Sequence, residues 1–412
     1  KKGYEGGLLI GNTLIDMYSK CGLLTAAEKT FDRIVNRDVI SWNALISGYV
    51  EHGQNLKALD SFNRMKDDRV IPADHVTFVC SFKACGNEGI LDNGRDMHAE
   101  IIMKGMEIDL FVGNIMVDMY ARCCSLEEAQ NVFNNLPTRS LASWNALIAG
   151  YVQHGLSDEA LQCFRKMQDE GICPNAVTYI YSLKACAILQ SLEVGEHIDA
   201  EVRKQDLLQK DIVLGTTLID MYAKCGMVNK AREIFEQLPM KDTVMWTTLI
   251  GGYAQHGLGE EALECFKKMQ DEGFHPDAVT YMCILKICGT LGYLQVGEDI
   301  DAHVRQQGLL QRDIMLCNTL IDMYAKCGAL EKSREVFEQL IVRDVVSWNT
   351  LIIGYAQHEH IEETLECFKQ MQDDGITPDE VTYICILKVC GIVGSLEIGK
   401  EIDAEIGKQG CW

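Results

Sequence analysis

The sequence predicts an all-α fold, a right-handed superhelical solenoid of helix-turn-helix repeats. Three observations predict it. Trp42, Trp144, Trp246 and Trp348 stand 102 residues apart without slippage, in SWNALISGY at 41–49, SWNALIAGY at 143–151, MWTTLIGGY at 245–253 and SWNTLIIGY at 347–355. Cysteine keeps the same beat in CG or CC pairs at Cys21, Cys123, Cys225 and Cys327. Apolar residues recur at helical spacing, and no segment alternates with period two between hairpin turns. A fixed period in 412 residues means one unit copied in tandem, and units too small to bury their own faces must stack on their neighbours.

Each 102-residue period divides into three repeats. The first full period runs through 39–74, 75–109 and 110–140, the next through 141–175, 176–211 and 212–242, and the third through 243–277, 278–313 and 314–344. A partial period precedes them at 8–38 and another follows at 345–379 and 380–412, making a single array over 1–412. We call these the tryptophan repeats (starting at 39, 141, 243 and 345), the middle repeats that follow them, and the short repeats of 31 residues. In 243–277 the first helix carries Trp246, Leu249, Ile250 and Tyr253 as an i, i+3, i+4, i+7 stripe. Gly257 and Gly259 are expected to break it. Ala262, Phe266 and Met269 then form the stripe of a second helix, which Gly273 and Pro276 close.

Composition narrows the class. Hydrophobic content of 47% suffices for a core, and no apolar run approaches the roughly 18 residues of a membrane span, so no membrane partner is expected. Most of the eighteen cysteines recur at fixed repeat positions and none forms a C-x-x-C pair, which fits a reduced, intracellular or organellar setting. No signal peptide or Arg/Ser-rich transit segment opens the sequence, so either a processed chain or an engineered one is expected. A net charge of −22 argues against a polyanion partner when averaged over the chain. The distribution is uneven, however. Second helices are acidic, as at Glu260, Glu261 and Glu264, whereas first helices carry cations at fixed places: Lys20, Arg122, Lys224 and Lys326 at position thirteen of the short repeats, and Lys83, Lys184, Lys286 and Lys388 at position nine of the middle repeats.

The tryptophan repeat has W-x-x-L…Y, Ala58, Phe62 and a late Pro72, partly like a tetratricopeptide repeat. That family keeps one repeat length, whereas here the length cycles, so a tetratricopeptide-like protein-interaction scaffold is the alternative reading. The cycle resembles the pentatricopeptide repeat family, in its plant PLS class. SWNALISGY…ALDSFNRMK (41–66) is similar to a P motif, HVTFVCSFKAC…LDNGRDMHAEIIMKG (75–105) to an L motif and FVGNIMVDMYARCCSLEEAQNVFNNLPTR (111–139) to an S motif. The resemblance covers essentially the whole sequence and implies binding of single-stranded RNA, one nucleotide per repeat, with the N-terminus towards the RNA 5′ end. Residue-per-repeat reading is a known mode of RNA recognition.

In that family the fifth and last residues of P and S motifs select the base. The resemblance assigns uracil to Asn12 with Asp38 and to Asn43 with Asp74. It assigns cytosine to Asn114 with Ser140 and a pyrimidine to Asn145 with Asn175. Guanine falls to Thr216 with Asp242 and Thr247 with Asp277, and uracil again to Asn318 with Asp344 and Asn349 with Asp379. The fifth residues of the middle repeats, Val79, Ile180, Met282 and Ile384, cannot hydrogen-bond and receive no base. The implied footprint is 5′-UUN-C(C/U)N-GGN-UUN-3′. Position two is apolar throughout: Leu9, Ile40, Val76, Phe111, Val177, Val213, Val244, Val279, Met315, Val346 and Val381, with Ala142 the weakest. The resemblance makes these the side chains that sandwich bases. Positions five, nine and thirteen share a helix stripe, which makes the eight cations a candidate phosphate track.

No catalytic constellation is expected. His98-Ala99-Glu100 matches the first part of a zinc deaminase signature, but no C-x-x-C accompanies it. His358-Glu359-His360 lacks the i, i+4 histidines of a zinc helix. Neither metal nor cofactor is expected. The sequence ends within an L motif at Gly410, Cys411 and Trp412, without the extension motifs or DYW deaminase of editing enzymes. The resemblance therefore implies a non-enzymatic specificity factor for organellar C-to-U RNA editing, in chloroplast or mitochondrion. A deaminase would be supplied in trans, and the editing factors called MORF or RIP would engage the L motifs.

Overall fold

The computed structural model of the chain describes residues 6–67, 71–105, 110–394, 399, 400, 402 and 404. The terminal Gly410, Cys411 and Trp412 lie outside the described residues. Among those described there are 23 α-helices, one 3-10 turn at Leu309–Gln311 and no strand.

The helices pair in chain order, so that every repeat from 8–38 to 345–379 contributes one hairpin. Gly6–Lys20 pairs with Leu24–Arg33, Val39–Glu51 with Asn55–Asp67, and His75–Glu88 with Leu91–Met103. The short repeat that follows pairs Leu110–Arg122 with Leu126–Asn134, and the next tryptophan repeat pairs Leu141–Gln153 with Ser157–Asp169. Local chemistry sets the ends. An Asp, Asn or Ser on extended backbone caps first helices, as Asp74 caps His75–Glu88 by accepting from the Thr77 N–H. At the other end of that helix Gly89 takes the left-handed conformation at φ 71°, open to glycine without strain. Gly257 likewise ends Thr243–Gln255 at φ 70°. The expectation for Gly259 fails, since Gly259 is the first residue of the second helix, Gly259–Asp271.

The backbone falls into two compact halves, 1–217 and 218–412, divided within helix Ile212–Lys224. In the first half, Gly6–Lys20, Val39–Glu51, His75–Glu88, Leu110–Arg122, Leu141–Gln153 and Ala176–Leu189 form one row, each packed on the next. Second helices pack on the first helix of their own hairpin and of the following one. In the second half Thr243–Gln255, Ala278–Leu291, Ile314–Lys326, Val345–Gln357 and Glu380–Val393 repeat the row. First helices are therefore buried on several sides and second helices on one stripe, which explains why the former are nearly free of charge and the latter carry it. Each half is a helical solenoid.

The four tryptophans are 1–2% exposed. Each packs edge-on against a phenylalanine of the preceding short repeat: Phe31 on Trp42 and Phe133 on Trp144 at 4.6 Å between centroids, Phe235 on Trp246 and Phe337 on Trp348 at 4.5 Å. They tie successive repeats together, and also meet their own hairpin, as Trp246 meets Phe274 and Trp42 meets Arg64.

Candidate nucleic-acid interface

Asp74 is the last residue of one repeat and the cap of the next. Its Oδ1 accepts from the Thr77 N–H at 2.9 Å, and the Asp74 N–H donates to Thr77 Oγ1 at 3.2 Å. The same Oδ1 also accepts from the Asn43 amide nitrogen at 3.0 Å, and Thr77 Oγ1 donates to Asn43 Oδ1 at 2.6 Å. Fifth residue, last residue and the third residue of the next repeat therefore form one closed cluster. The hydrogen-bonding capacity the cluster leaves unused is the second carboxylate oxygen of Asp74 and the remaining hydrogen of the Asn43 amide.

Several other expected pairs adopt the same arrangement. Asn12 donates to Asp38 at 3.1 Å and accepts from Ser41 Oγ at 2.7 Å. Asn145 donates to Asn175 at 3.2 Å and accepts from Thr178 at 2.6 Å. Asn349 donates to Asp379 at 2.9 Å and accepts from Thr382 at 2.6 Å. Asn114 donates to Ser140 at 3.2 Å, but Ser143 turns its hydroxyl to the Ser140 carbonyl at 2.8 Å and leaves Asn114 Oδ1 buried without a partner. Asn318 bonds Asp344, while Ser347 donates to Asp344 at 2.7 Å, and Asn318 Oδ1 is likewise orphaned.

The threonines differ. Thr247 donates to its own helix at the Thr243 carbonyl, 2.9 Å, and touches Thr280 Oγ1 at 2.6 Å, leaving the Asp277 carboxylate without an amide partner at this position. Thr216 donates to the Ile212 carbonyl at 2.9 Å, and Asp242 caps its helix through the Met245 N–H at 2.8 Å. Those two residues belong to different halves.

Burial alone would raise the carboxyls of Asp38, Asp74, Asp344 and Asp379, but hydrogen bonds from the capped Ser or Thr and from the paired Asn outweigh it and hold all four below the usual carboxylate value. They are acceptors at neutral pH.

Apolar side chains accompany these polar pairs. Leu9, Ile40, Val76, Phe111, Val177, Val213, Val244, Val279, Met315, Val346 and Val381 are all exposed, between 44% and 72%. Residues of these types at fixed, solvent-facing places are not core. In the first half, Leu9, Asn12, Asp38, Ile40, Asn43 and Val76 line one cleft of about 600 Å³. In the second half, Val244, Thr247, Asp277 and Val279 line another of about 400 Å³, with Asp220 and Lys224 at its edge. Each cleft thus offers a hydrogen-bonding pair between two apolar walls. Of the middle-repeat fifth residues, Val79 is buried, Ile180 and Met282 are half-buried and Ile384 is exposed.

The eight cations divide into two kinds. Lys20, Arg122, Lys224 and Lys326 each pair with the Asp one turn back, Asp16, Asp118, Asp220 and Asp322, at 2.7–2.8 Å. Lys83, Lys184, Lys286 and Lys388 are exposed and have no salt-bridge partner among the described residues. Sequence reasoning grouped all eight as one track. The aspartates were visible at position nine, but not that they would engage the cations.

His98 lies on the second helix Leu91–Met103 and meets the Tyr120 hydroxyl at 2.8 Å, its pKa lowered by burial. Glu100 is bridged by Lys66 and Lys104 at 2.8 and 2.6 Å. His358-Glu359-His360 forms the turn after Val345–Gln357, with His358 Nε2 on the Ala325 carbonyl at 2.7 Å. No group of three or more metal-binding side chains converges among the described residues. The seventeen described cysteines are free thiols. Sequence reasoning missed the third-position hydroxyls, whose signal was their alternation with Val112, Leu214 and Leu316 in the short repeats that follow middle repeats.

A family model described as the PPR repeat family matches residues 37–87, 139–188, 241–290 and 343–391, and one described as the PPR repeat matches 12–39, 114–141, 216–242 and 316–345. Among curated relatives, a pentatricopeptide repeat-containing protein of Arabidopsis thaliana is 34% identical over 98% of this chain and 58% of its own length. A mitochondrial one from the same plant is 35% identical over 100% of this chain and 40% of its own, and a chloroplastic one 33% over 97% and 64%. The chain thus spans roughly half the length of these relatives. The fold is similar to that in a crystal structure of the pentatricopeptide repeat protein PPR10 in complex with an 18-nt psaJ RNA element, with a TM-score of 0.80, 21% identity, and coverage of 96% of this chain and 59% of that one. With matches to repeat models over well over half of its residues, the chain belongs to the pentatricopeptide repeat family.

Proposed function

We propose that this chain binds single-stranded RNA sequence-specifically, one base per repeat, over the footprint 5′-UUN-C(C/U)N-GGN-UUN-3′. The observation that carries the reading is the polar pair that shares a cleft with two exposed aliphatic side chains, as Asn12 and Asp38 do with Leu9 and Ile40. A base has two apolar faces and one hydrogen-bonding edge, and such a cleft matches both. An amide hydrogen beside a carboxylate oxygen complements uracil, which offers a carbonyl next to an N–H. Thr247 with Asp277 presents the carboxylate without the amide, which suits the adjacent N1–H and N2–H donors of guanine. The related fold of PPR10, solved with an RNA element, supports the same use here.

Within the PLS class the array serves as a specificity factor for C-to-U editing, with a deaminase in trans and MORF or RIP factors on the middle repeats. The relatives named mitochondrial and chloroplastic support an organellar setting. The test is a titration at fixed salt of the footprint RNA against one with GG exchanged for UU. A mismatch costs about 1–3 kcal/mol per position by analogy with base-edge contacts in DNA. Equal affinity for the two RNAs sinks the base assignment. The double variant Thr216→Asn, Thr247→Asn moves preference at those positions from guanine to uracil.

A further inference from the structure

We infer that the hydroxyl at the third residue of the following repeat is a positioning residue for base selection, so that each reading head spans two repeats. The inference rests on the RNA-reading proposal above. Every repeat whose fifth residue is Asn is followed by a repeat with a hydroxyl at position three: Ser41, Thr77, Ser143, Thr178, Ser347 and Thr382. Where the fifth residue is Val79, Ile180 or Met282, the third residue of the next repeat is Val112, Leu214 or Leu316. Helix capping does not explain the difference. Asp211 and Asp313 cap the helices bearing Leu214 and Leu316 through backbone N–H groups alone, at 2.9–3.1 Å. The hydroxyl follows the reading residue, not the cap.

Its contacts state the task at four of the six places: Ser41, Thr77, Thr178 and Thr382 donate to the asparagine oxygen, whereas Ser143 and Ser347 turn to Ser140 and Asp344. An asparagine amide is nearly symmetric in shape and can present either its oxygen or its nitrogen to a base. Thr77 Oγ1 donates to Asn43 Oδ1 at 2.6 Å while Asp74 Oδ1 receives the amide nitrogen at 3.0 Å. Two neighbours of opposite polarity thereby fix one orientation, with the oxygen inward and an N–H free to face out. That orientation offers a donor, which uracil accepts through a carbonyl and cytosine meets with its own amino donor. Thr247 has no amide to orient. Of the two threonine-reading repeats, Thr216 is followed by Met245 and Thr247 by Thr280, so that the hydroxyl is optional where no amide needs it.

The test uses the full chain and the footprint RNA with U or C at the second position, the slot of Asn43 and Asp74. Affinities are measured for wild type, Thr77→Val and Thr77→Ser, with melting temperatures alongside. Thr77→Val preserves shape and the backbone N–H that Asp74 caps. Wild type is expected to favour U by about tenfold. Thr77→Val brings that ratio close to one, leaves U-over-C preference at the first slot (Asn12 and Asp38) unchanged, and Thr77→Ser restores it. An undiminished ratio in Thr77→Val overturns the inference whatever happens to the melting temperature, because Thr77 then serves the cap alone. A loss that Thr77→Ser fails to restore overturns it too, since the hydroxyl is then not the agent. A wild-type chain blind to U and C at both slots overturns the base reading itself, and this inference with it.

Discussion

The last residue of a repeat has two tasks that meet at one oxygen. Asp74 Oδ1 caps the next helix and holds Asn43, so only Oδ2 faces outward. Asn175 caps with its Oδ1 as well, accepting from the Thr178 N–H at 3.1 Å, which turns its amide nitrogen outward. Capping thus limits this position to Asp, Asn or Ser and at the same time decides what each presents: an acceptor from Asp, a donor from Asn. Beside Asn145 the outward set is then two donors, which suits the N3 and O2 acceptors of cytosine better than the N3–H of uracil. Asn175→Asp keeps the cap and is expected to shift that slot from cytosine to uracil by about tenfold in the affinity ratio, measured by paired RNA titrations. An unchanged ratio sinks this account of the last position. The fifth and last residues stand out in the sequence as candidates because they switch while their neighbours hold. Thr77 and its equivalents do not, since a Ser or Thr third in a helix reads as ordinary capping until its second contact is seen.

At the scale of the helix, the stripe that made the hairpins legible also hid how closely first helices approach. Trp42, Leu45, Ile46 and Tyr49 mark a buried face from their spacing alone, and all are 0–2% exposed. The glycine within each tryptophan motif carries a constraint that no periodicity shows. A Cβ on Gly150 would stand 2.5 Å from Ala121 Cβ on the neighbouring first helix, and on Gly354 2.7 Å from Ala325 Cβ. Helix Leu141–Gln153 is thus seated on Leu110–Arg122 through a glycine–alanine contact with no room for a methyl group. Gly150→Val is expected to destabilise the chain by about 1–3 kcal/mol through overpacking, read as a lower urea midpoint. Gly155→Ala, which meets nothing within 4 Å but sits at φ 76°, separates the two costs by testing backbone strain without crowding. A Gly150→Val midpoint equal to wild type rules out the close approach as a packing constraint. Gly259 shows the opposite limit of sequence reading: its position between two helical stripes suggests a breaker, yet it lies in the second helix, where a Cβ would stand 2.7 Å from Leu291 Cδ1 and 2.9 Å from Ile287 Cγ2.

For the whole molecule the question is how a chain of net charge −22 would hold the proposed RNA. The four short-repeat cations are matched by Asp16, Asp118, Asp220 and Asp322 in the favourable acid-before-base spacing, so they bring little net charge to a phosphate. Lys83, Lys184, Lys286 and Lys388 have no such match, and we assign them the phosphate contacts. Counterion release from a single strand contributes about −0.7 per neutralised phosphate to the slope of log affinity against log salt, so four lysines give about −3 and all eight cations would give about −6. A shallow slope also means that most of the affinity comes from base edges and apolar walls, which is what a selective binder with a repulsive overall charge requires. Lys286→Gln is expected to flatten the slope by about 0.7. The charge-neutral double variant Asp322→Asn, Lys326→Gln removes a matched pair and should leave the slope as it was. If the double variant flattens it as much as Lys286→Gln does, the paired cations open towards the RNA, and the division of the eight into two kinds ends when RNA binds.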